Sequence, residues 1–418
     1  MNPRTPVVLG YDAVSPLGTD LEDQWRRAAA GESGIGPLTR FPVTAGFPVT
    51  IAGQVAEIDP SPYPFLSARS LALWPSPIFK YALLTVHRAL ERSGVDIAPA
   101  IAPRTAVTFS SAVGGLDALL DADRRMTADG KLPPPYANPN SCINMVGGKV
   151  SILTGATGPI TAPITACATG ATSIITGAML LAQNRADVAI CGAVDFPLVE
   201  PIVAGFATMN AAFQPRSGTP PEPPAAASRP FSVDRRGFVI SEGSGAVILA
   251  TQAFAEAHGL PWRTEVAGWS MTSDARHFVA PNFETVRRCI AEAVGDAGIA
   301  PSDVDSVNAH ATATKVGDRV EYDALTAVFG DILPPVTANK SMTGHAMGAS
   351  SAIETILALE GMRRNTLPPT LNYTPDPDMP LDPVADGPRS LEQEWVLKNA
   401  FGFGGCNACI VFRKVDSR

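Results

Sequence analysis

From Val150 to Asn184 the chain carries no Asp, Glu, Lys or Arg, a charge-free run long enough to raise the question of a membrane span. Its Ser, Thr, Gly and Pro content is too polar for a spanning helix, so a buried layer of a large globular fold is the better reading. Inside it lies Pro163 to Gly170, reading Pro-Ile-Thr-Ala-Cys-Ala-Thr-Gly. Ile160 to Thr165 is a short run suited to a buried strand, and Ala171 to Gln183 has apolar residues at helical spacing. Cys167 therefore falls at a strand-to-helix turn. Unpaired N–H groups and the positive end of the helix dipole favour a thiolate there, so the expectation is a lowered thiol pKa and a nucleophile. The plainer alternative is a cysteine acting as a small buried hydrophobe.

Composition narrows the classes. With 418 residues, 45% hydrophobic and 17% charged, the chain suits one large core or two fused halves. A net charge of −8 argues against nucleic acid as a partner. Six cysteines stand at 142, 167, 191, 289, 406 and 409; the expectation is that none forms a C-x-x-C pair, Cys406 and Cys409 being read as too far apart, and no nearby His completes a zinc pattern, so no metal is expected. The N-terminus reads as no signal peptide, which makes reduced thiols in a cytoplasmic protein the expectation, with no membrane partner.

In chain order, strands are expected at Val7–Leu9, Thr105–Phe109, Asp187–Ala193 and Gly237–Thr251, with helices around Leu21–Ala30 and Ile78–Ser93. Pro215 to Pro230 reads as a surface loop. From residue 253 the plan repeats: helix Glu284–Ala297, strand Val304–Ala309, helix Glu321–Phe329, strand Pro335–Ala338, then a turn into the Gly/Ala-rich helix Gly348–Met362. Strands Trp395–Lys398 and Ile410–Phe412 bracket the loop Phe401-Gly402-Phe403-Gly404-Gly405. Residues 1–252 and 253–418 are therefore expected to be duplicated halves, their small-residue helices packed face to face.

There are five histidines, and two of them, His310 in Asn308-Ala309-His310-Ala311-Thr312-Ala313-Thr314 and His345 in Thr343-Gly344-His345-Ala346, stand at equivalent strand ends. With a helix-capped cysteine in the same chain they point to a Cys/His/His site. His87, His258 and His277 lie in polar or helical surroundings and are assigned no chemistry.

The segments Thr165–Gly170, Asn308–Thr314, Lys340–Ala349 and Phe401–Asn407 resemble, in order, the signature blocks of the β-ketoacyl-[acyl carrier protein] synthases of the KAS I/II type, which type II polyketide ketosynthases share. The resemblance implies an α/β thiolase fold, five-layered α-β-α-β-α with two pseudo-duplicated halves, assembled as a dimer. It implies Cys167 as the acyl-accepting nucleophile, His310 and His345 as the pair promoting malonyl decarboxylation, and Lys340 paired with Glu354. The N–H groups of Cys167 and Phe403 match the oxyanion hole, and Phe403 also the gate. Phe231, Val113, Thr312, Thr314 and Phe401 match substrate-binding positions, with Val113 at the floor of the acyl pocket, while Asp318 and Glu321 match supporting acids. No cofactor is implied, since phosphopantetheine arrives on the substrate carrier protein. The implied partners are an acyl carrier protein and a second subunit, giving a homodimer or a heterodimer with a ketosynthase-like chain. A non-catalytic, chain-length-factor-like subunit is the alternative; such subunits typically lack the cysteine. A thiolase would use a second cysteine in place of the paired histidines.

Departures from the family pattern point to a specialised polyketide or fatty-acid pathway. Ala311 replaces glycine beside His310 and is expected to confine the backbone to non-glycine angles. Ser350 and Ser351 replace Ala-Gly, putting two hydroxyls on a helix expected to pack tightly. Ser232 and Arg236 replace acidic residues, and Cys406 a threonine. Ser67 to Lys80, with Arg124 and Arg125, reads either as a loop packed on its own core or as a partner surface.

Overall fold

Two runs of fully buried residues, Val188–Asp195 and Gly243–Thr251, set the frame, because strands covered on both faces lose the alternation of a half-exposed strand. A computed structural model describes residues 3–215 and 222–415, so positions 216–221 of the Pro215–Pro230 loop lie outside the described residues. Its main strands are β1 (Pro6–Val14), β2 (Thr105–Ser110), β3 (Ile160–Thr161), β4 (Val188–Asp195) and β5 (Gly243–Thr251), then β6 (Thr264–Ser273), β7 (Ser306–Asn308), β8 (Val336–Thr337), β9 (Trp395–Gly402) and β10 (Cys406–Lys414).

The strands follow one continuous order, β8-β7-β9-β10-β6-β1-β5-β4-β2-β3, which divides at the weak β6–β1 step into a first sheet (β3-β2-β4-β5-β1) and a second (β8-β7-β9-β10-β6). In each half the third, second and fourth strands run parallel, and the fifth adds antiparallel to the fourth and the first to the fifth. The duplication expected from the repeated plan is thus present in the topology. A single register pair, Val7 with Glu265, links the sheets.

Helices α1 (Pro77–Ser93) and α2 (Asn144–Thr154) cover the outer face of the first sheet, and α4 (Phe283–Asp296) and α5 (Lys315–Phe329) that of the second; between the sheets lie α3 (Thr169–Ala182) and α6 (Met347–Arg364). This gives the expected five layers. Asn282 caps α4 through the Glu284 N–H, and Thr314 caps α5 through the Gly317 N–H. A Cβ on Gly170 would sit 2.5 Å from the Ala352 nitrogen, so only glycine lets α3 approach α6 this closely. Ser351, expected as a misfit, instead accepts the Ala171 N–H at 3.1 Å and ties the two middle helices together.

Two strand expectations change. Only Ile160 and Thr161 pair, and Ile160 and Ile164 are each 51% exposed, so Ile160–Thr165 is an open sheet edge and not a buried strand. Pro159 and Pro163 flank that pair and remove ladder donors on either side. Gly237–Thr251 is regular strand only from Gly243; upstream, Phe238, Ile240 and Ser241 make isolated bridges to Ala212, His345 and Gly53.

Candidate active site

Cys167 occupies a single 3₁₀ turn, Ala166–Ala168, that feeds directly into α3. Thr169 holds this turn: its hydroxyl donates to the Ala166 carbonyl at 2.7 Å and accepts the Thr165 N–H at 3.0 Å. Ala166 takes φ 48°, a left-handed angle that costs a non-glycine residue about 1–2 kcal/mol. From the other half comes the loop after β9. A Cβ on Gly402 would collide with the Thr165 carbonyl, so glycine there lets the loop lie against the turn. The Phe403 and Cys167 N–H groups lie close enough to the Cys167 sulfur to act on its thiol.

The expectation of an acidic thiol is corrected. Burial pushes the Cys167 thiol up to about 11, although the Lys340 charge and the N–H groups of Phe403 and Cys167 pull it down. Desolvation outweighs the helix start here because Cys167 is closed in by both halves.

His345 Nε2 lies 3.0 Å from Cys167 Sγ, and its Nδ1 lies 3.0 Å from the Ser350 hydroxyl. Phe238 packs edge-on against the His345 ring, centroids 5.1 Å apart. His310 stands 5.9 Å from His345 between ring centroids and 5.8 Å from Phe401. Its loop is carried by Glu321, which accepts the N–H groups of His310 and Ala311 at 2.9 and 2.7 Å. Both imidazoles are held well below their usual pKa, first by burial and then by the Lys340 ammonium, so both are neutral near pH 7.

Ala311 does not keep to non-glycine angles: it sits at φ 21°, with Ala313 at φ 61°. The Glu321 carboxylate pins the strained loop through its N–H groups.

Beneath the histidines is a buried ionic cluster. Lys340 Nζ donates to the His310 carbonyl and to Glu354 Oε1, each at 2.5 Å. Glu354 Oε2 takes Lys398 Nζ at 2.7 Å, and that ammonium also donates to the Asn399 carbonyl at 2.6 Å.

Cys167, His310, His345, Val113, Thr312, Thr314, Phe401 and Phe403 all line one cavity of about 670 Å³. Val113 is fixed from below, its N–H donating to Asp195 Oδ1 at 2.9 Å. Lys340 and Glu354 lie behind the wall. Phe231 is fully buried at φ 59°, its N–H donates to Asp318, and it belongs to the core cluster that holds Ala309 and Ala311 on either side of His310, without itself lining the cavity. Cys406 and Cys409 do have C-x-x-C spacing, but three positions apart on β10 they face opposite sides of the sheet. In Ser67–Lys80, Trp74 stacks on Tyr136 and Lys80 pairs with Glu57 at 2.6 Å, which leaves Arg69 exposed.

Sequence reasoning missed Lys398 and the partner of Ser350. A lysine inside the apolar strand Trp-Val-Leu-Lys-Asn-Ala was the available signal for the first, since a charge there must be buried and paired. Ser350 carried none, because its bond to His345 depends on how the turn before α6 folds.

Two family models match, "Beta-ketoacyl synthase, N-terminal domain" over residues 5–255 and "Beta-ketoacyl synthase, C-terminal domain" over residues 263–374. Among curated proteins, a 3-oxoacyl-[acyl-carrier-protein] synthase 2 from Coxiella burnetii is 35% identical over 99% of this chain and 100% of its own length. One from Staphylococcus aureus is 33% identical over 98% of each. Among solved structures, a β-ketoacyl synthase from Burkholderia phymatum superposes with a TM-score of 0.90 at 27% identity, covering 99% of this chain and 100% of that one. A type II polyketide ketosynthase solved in complex with its acyl carrier protein superposes with a TM-score of 0.89 at 28% identity, with the same coverage. Family models matching most of its length, full-length relatives above 30% identity and the shared fold all agree: this chain belongs to the β-ketoacyl synthase family.

Proposed function

We propose that the protein is a β-ketoacyl-[acyl carrier protein] synthase that condenses a Cys167-bound acyl chain with malonyl-carrier thioester, in a type II polyketide or fatty-acid pathway. The observation that carries this is the contact of a nucleophilic sulfur with one neutral imidazole, His345 Nε2 at 3.0 Å, with the second imidazole alongside at the wall of an apolar cavity.

In the first half-reaction the Cys167 sulfur attacks the acyl thioester carbon, the carrier thiol departs with the thiol proton, and the oxyanion meets the N–H groups of Cys167 and Phe403. In the second, the bond from the malonyl α-carbon to its carboxylate breaks, carbon dioxide leaves, and the electron pair forms an enolate whose oxygen accepts from His310 and His345. That carbon attacks the acyl-Cys167 carbonyl and expels the sulfur. Neutral imidazoles suit the second step because their N–H groups donate to the developing enolate oxygen while being far weaker acids than imidazolium, so the nucleophilic carbon is not quenched by protonation. No cofactor is needed beyond the phosphopantetheine on the carrier.

The partners of this reading are an acyl carrier protein and a second subunit, a copy of this chain or a ketosynthase-like homologue. The open edge at β3, with Ile152, Ile160 and Ile164 exposed beside it, supports a dimer contact on that face. A cytoplasmic protein is consistent with the absence, among the described residues, of any helix long and apolar enough to cross a membrane.

Intact-protein mass spectrometry with a panel of acyl-carrier thioesters tests the proposal. The expected result is one acyl increment on Cys167, abolished in Cys167→Ala, and retained without malonyl decarboxylation in His310→Ala and His345→Ala. A wild-type protein that is acylated by none of the panel refutes it.

A further inference from the structure

The two active-site histidines are held in different ways. His310 Nδ1 is buried with no hydrogen-bond partner among the described residues. His345 Nδ1 faces the Ser350 hydroxyl, one turn along the chain on α6, at 3.0 Å. The same oxygen already accepts the Ala346 N–H at 2.7 Å.

We propose that Ser350 is a positioning residue that locks His345 as the tautomer protonated on Nε2, the nitrogen facing Cys167. A serine hydroxyl has one hydrogen to give and two lone pairs to offer. The Ala346 N–H takes one lone pair. Among the described residues, the one acceptor that the Ser350 hydrogen meets is His345 Nδ1. Nδ1 therefore carries the lone pair and Nε2 the proton. In the reverse tautomer Nδ1–H would point at the serine oxygen, leaving the Ser350 hydrogen buried and unpaired. The cost of one unmade buried hydrogen bond corresponds to a preference of roughly 10- to 100-fold for the first arrangement.

The consequence is directional. Nε2–H donates to the Cys167 sulfur in the resting site, 3.0 Å away, and the same donor serves the enolate oxygen once that sulfur is acylated. This arrangement excludes His345 as a base toward the thiol. The catalytic part of the inference rests on the condensation reading above; the tautomer does not.

The test uses full-length protein labelled with 15N-histidine, the His345 signals being assigned by their loss in His345→Gln. The wild type is expected to show Nε2 protonated and Nδ1 bare. In Ser350→Ala both tautomers should appear, and kcat for malonyl-carrier decarboxylation should fall in proportion to the Nε2-protonated fraction read in the spectrum, about twofold for an even mixture, at nearly unchanged KM and with Cys167 acylation little changed. Ser350→Thr, which keeps the hydroxyl, should restore both readouts. A wild-type His345 protonated on Nδ1 overturns the proposal. So does a Ser350→Ala protein that keeps the single tautomer and full kcat, or a loss in Ser350→Ala that Ser350→Thr does not recover, which would be a packing effect. If the wild type decarboxylates no malonyl thioester, the condensation reading fails, and the spectrum still decides the tautomer.

Discussion

Glu354→Gln isolates the buried charge cluster, because Gln keeps the shape of Glu354 and removes only its charge. In the wild type one carboxylate serves two ammonium groups, Lys340 at 2.5 Å and Lys398 at 2.7 Å, with all three side chains at 2% exposure or less. The substitution raises the cluster from one net positive charge to two and leaves Lys340 and Lys398 sharing a neutral amide. Removing one partner of a buried ion pair costs about 3–5 kcal/mol, well above the roughly 1 kcal/mol of a surface pair. An unfolding entropy of about 2.1 cal/mol/K per residue over 418 residues is about 0.9 kcal/mol/K, so the expected fall in Tm is about 3–6 °C. Adding Lys398→Met returns the cluster to one net positive charge. The double variant should therefore be less damaged than the sum of the single variants, by about 0.5–3 kcal/mol. Urea denaturation of the four proteins completes the cycle. A Glu354→Gln loss under 1 kcal/mol, or strictly additive effects, would refute the assignment of Glu354 as the charge that balances both lysines.

Thiol chemistry offers a second check. With the Cys167 pKa raised to about 11, the thiolate is the minority form at neutrality, about one molecule in a thousand at pH 8, and it grows tenfold per pH unit. Iodoacetamide labelling at Cys167 should climb steadily from pH 7 to beyond 10, and a plateau near pH 7 would contradict the burial argument. Ala311→Gly should leave stability within about 1 kcal/mol, since relief of the left-handed strain offsets the glycine entropy and the lost methyl. Thermal denaturation reads this directly; a loss above 2 kcal/mol would mean that the loop is not strained.

Much of the architecture is legible wherever a segment's function is local to it. The turn at Cys167 and the loops at His310 and His345 are short stretches in which strand end, reactive residue and small neighbours follow one another, so motif and position coincide. Legibility fails where the determining contact is distant in sequence. Helix-start logic assigns Cys167 the wrong pKa direction because the enclosing wall comes from Phe401–Gly405, on the other half. Phe231 resembles a pocket aromatic in sequence, but its N–H bond to Asp318, 87 residues on, and its place in the core beside the His310 loop show only in the fold. Lys398 meets Glu354 across 44 residues, and Ser350 reads as a defect in a packed helix until the fold of the preceding turn is known.

The single register pair between the sheets has a consequence for biosynthesis. Cys167 emerges from the ribosome with the first sheet, but the loop that encloses it is 236 residues further on, at Phe403. At about 5–20 residues per second, that interval is roughly 10–50 seconds. For most of it, until α6 at Met347–Arg364 has been made, the inner face of the first half, with Ile174, Ile175 and Leu181, lacks the helix and second sheet that cover it. The nascent chain thus presents an apolar surface and an open thiol at once, and its vulnerability to chaperone capture and oxidation is concentrated in that window, closing when the last two strands dock.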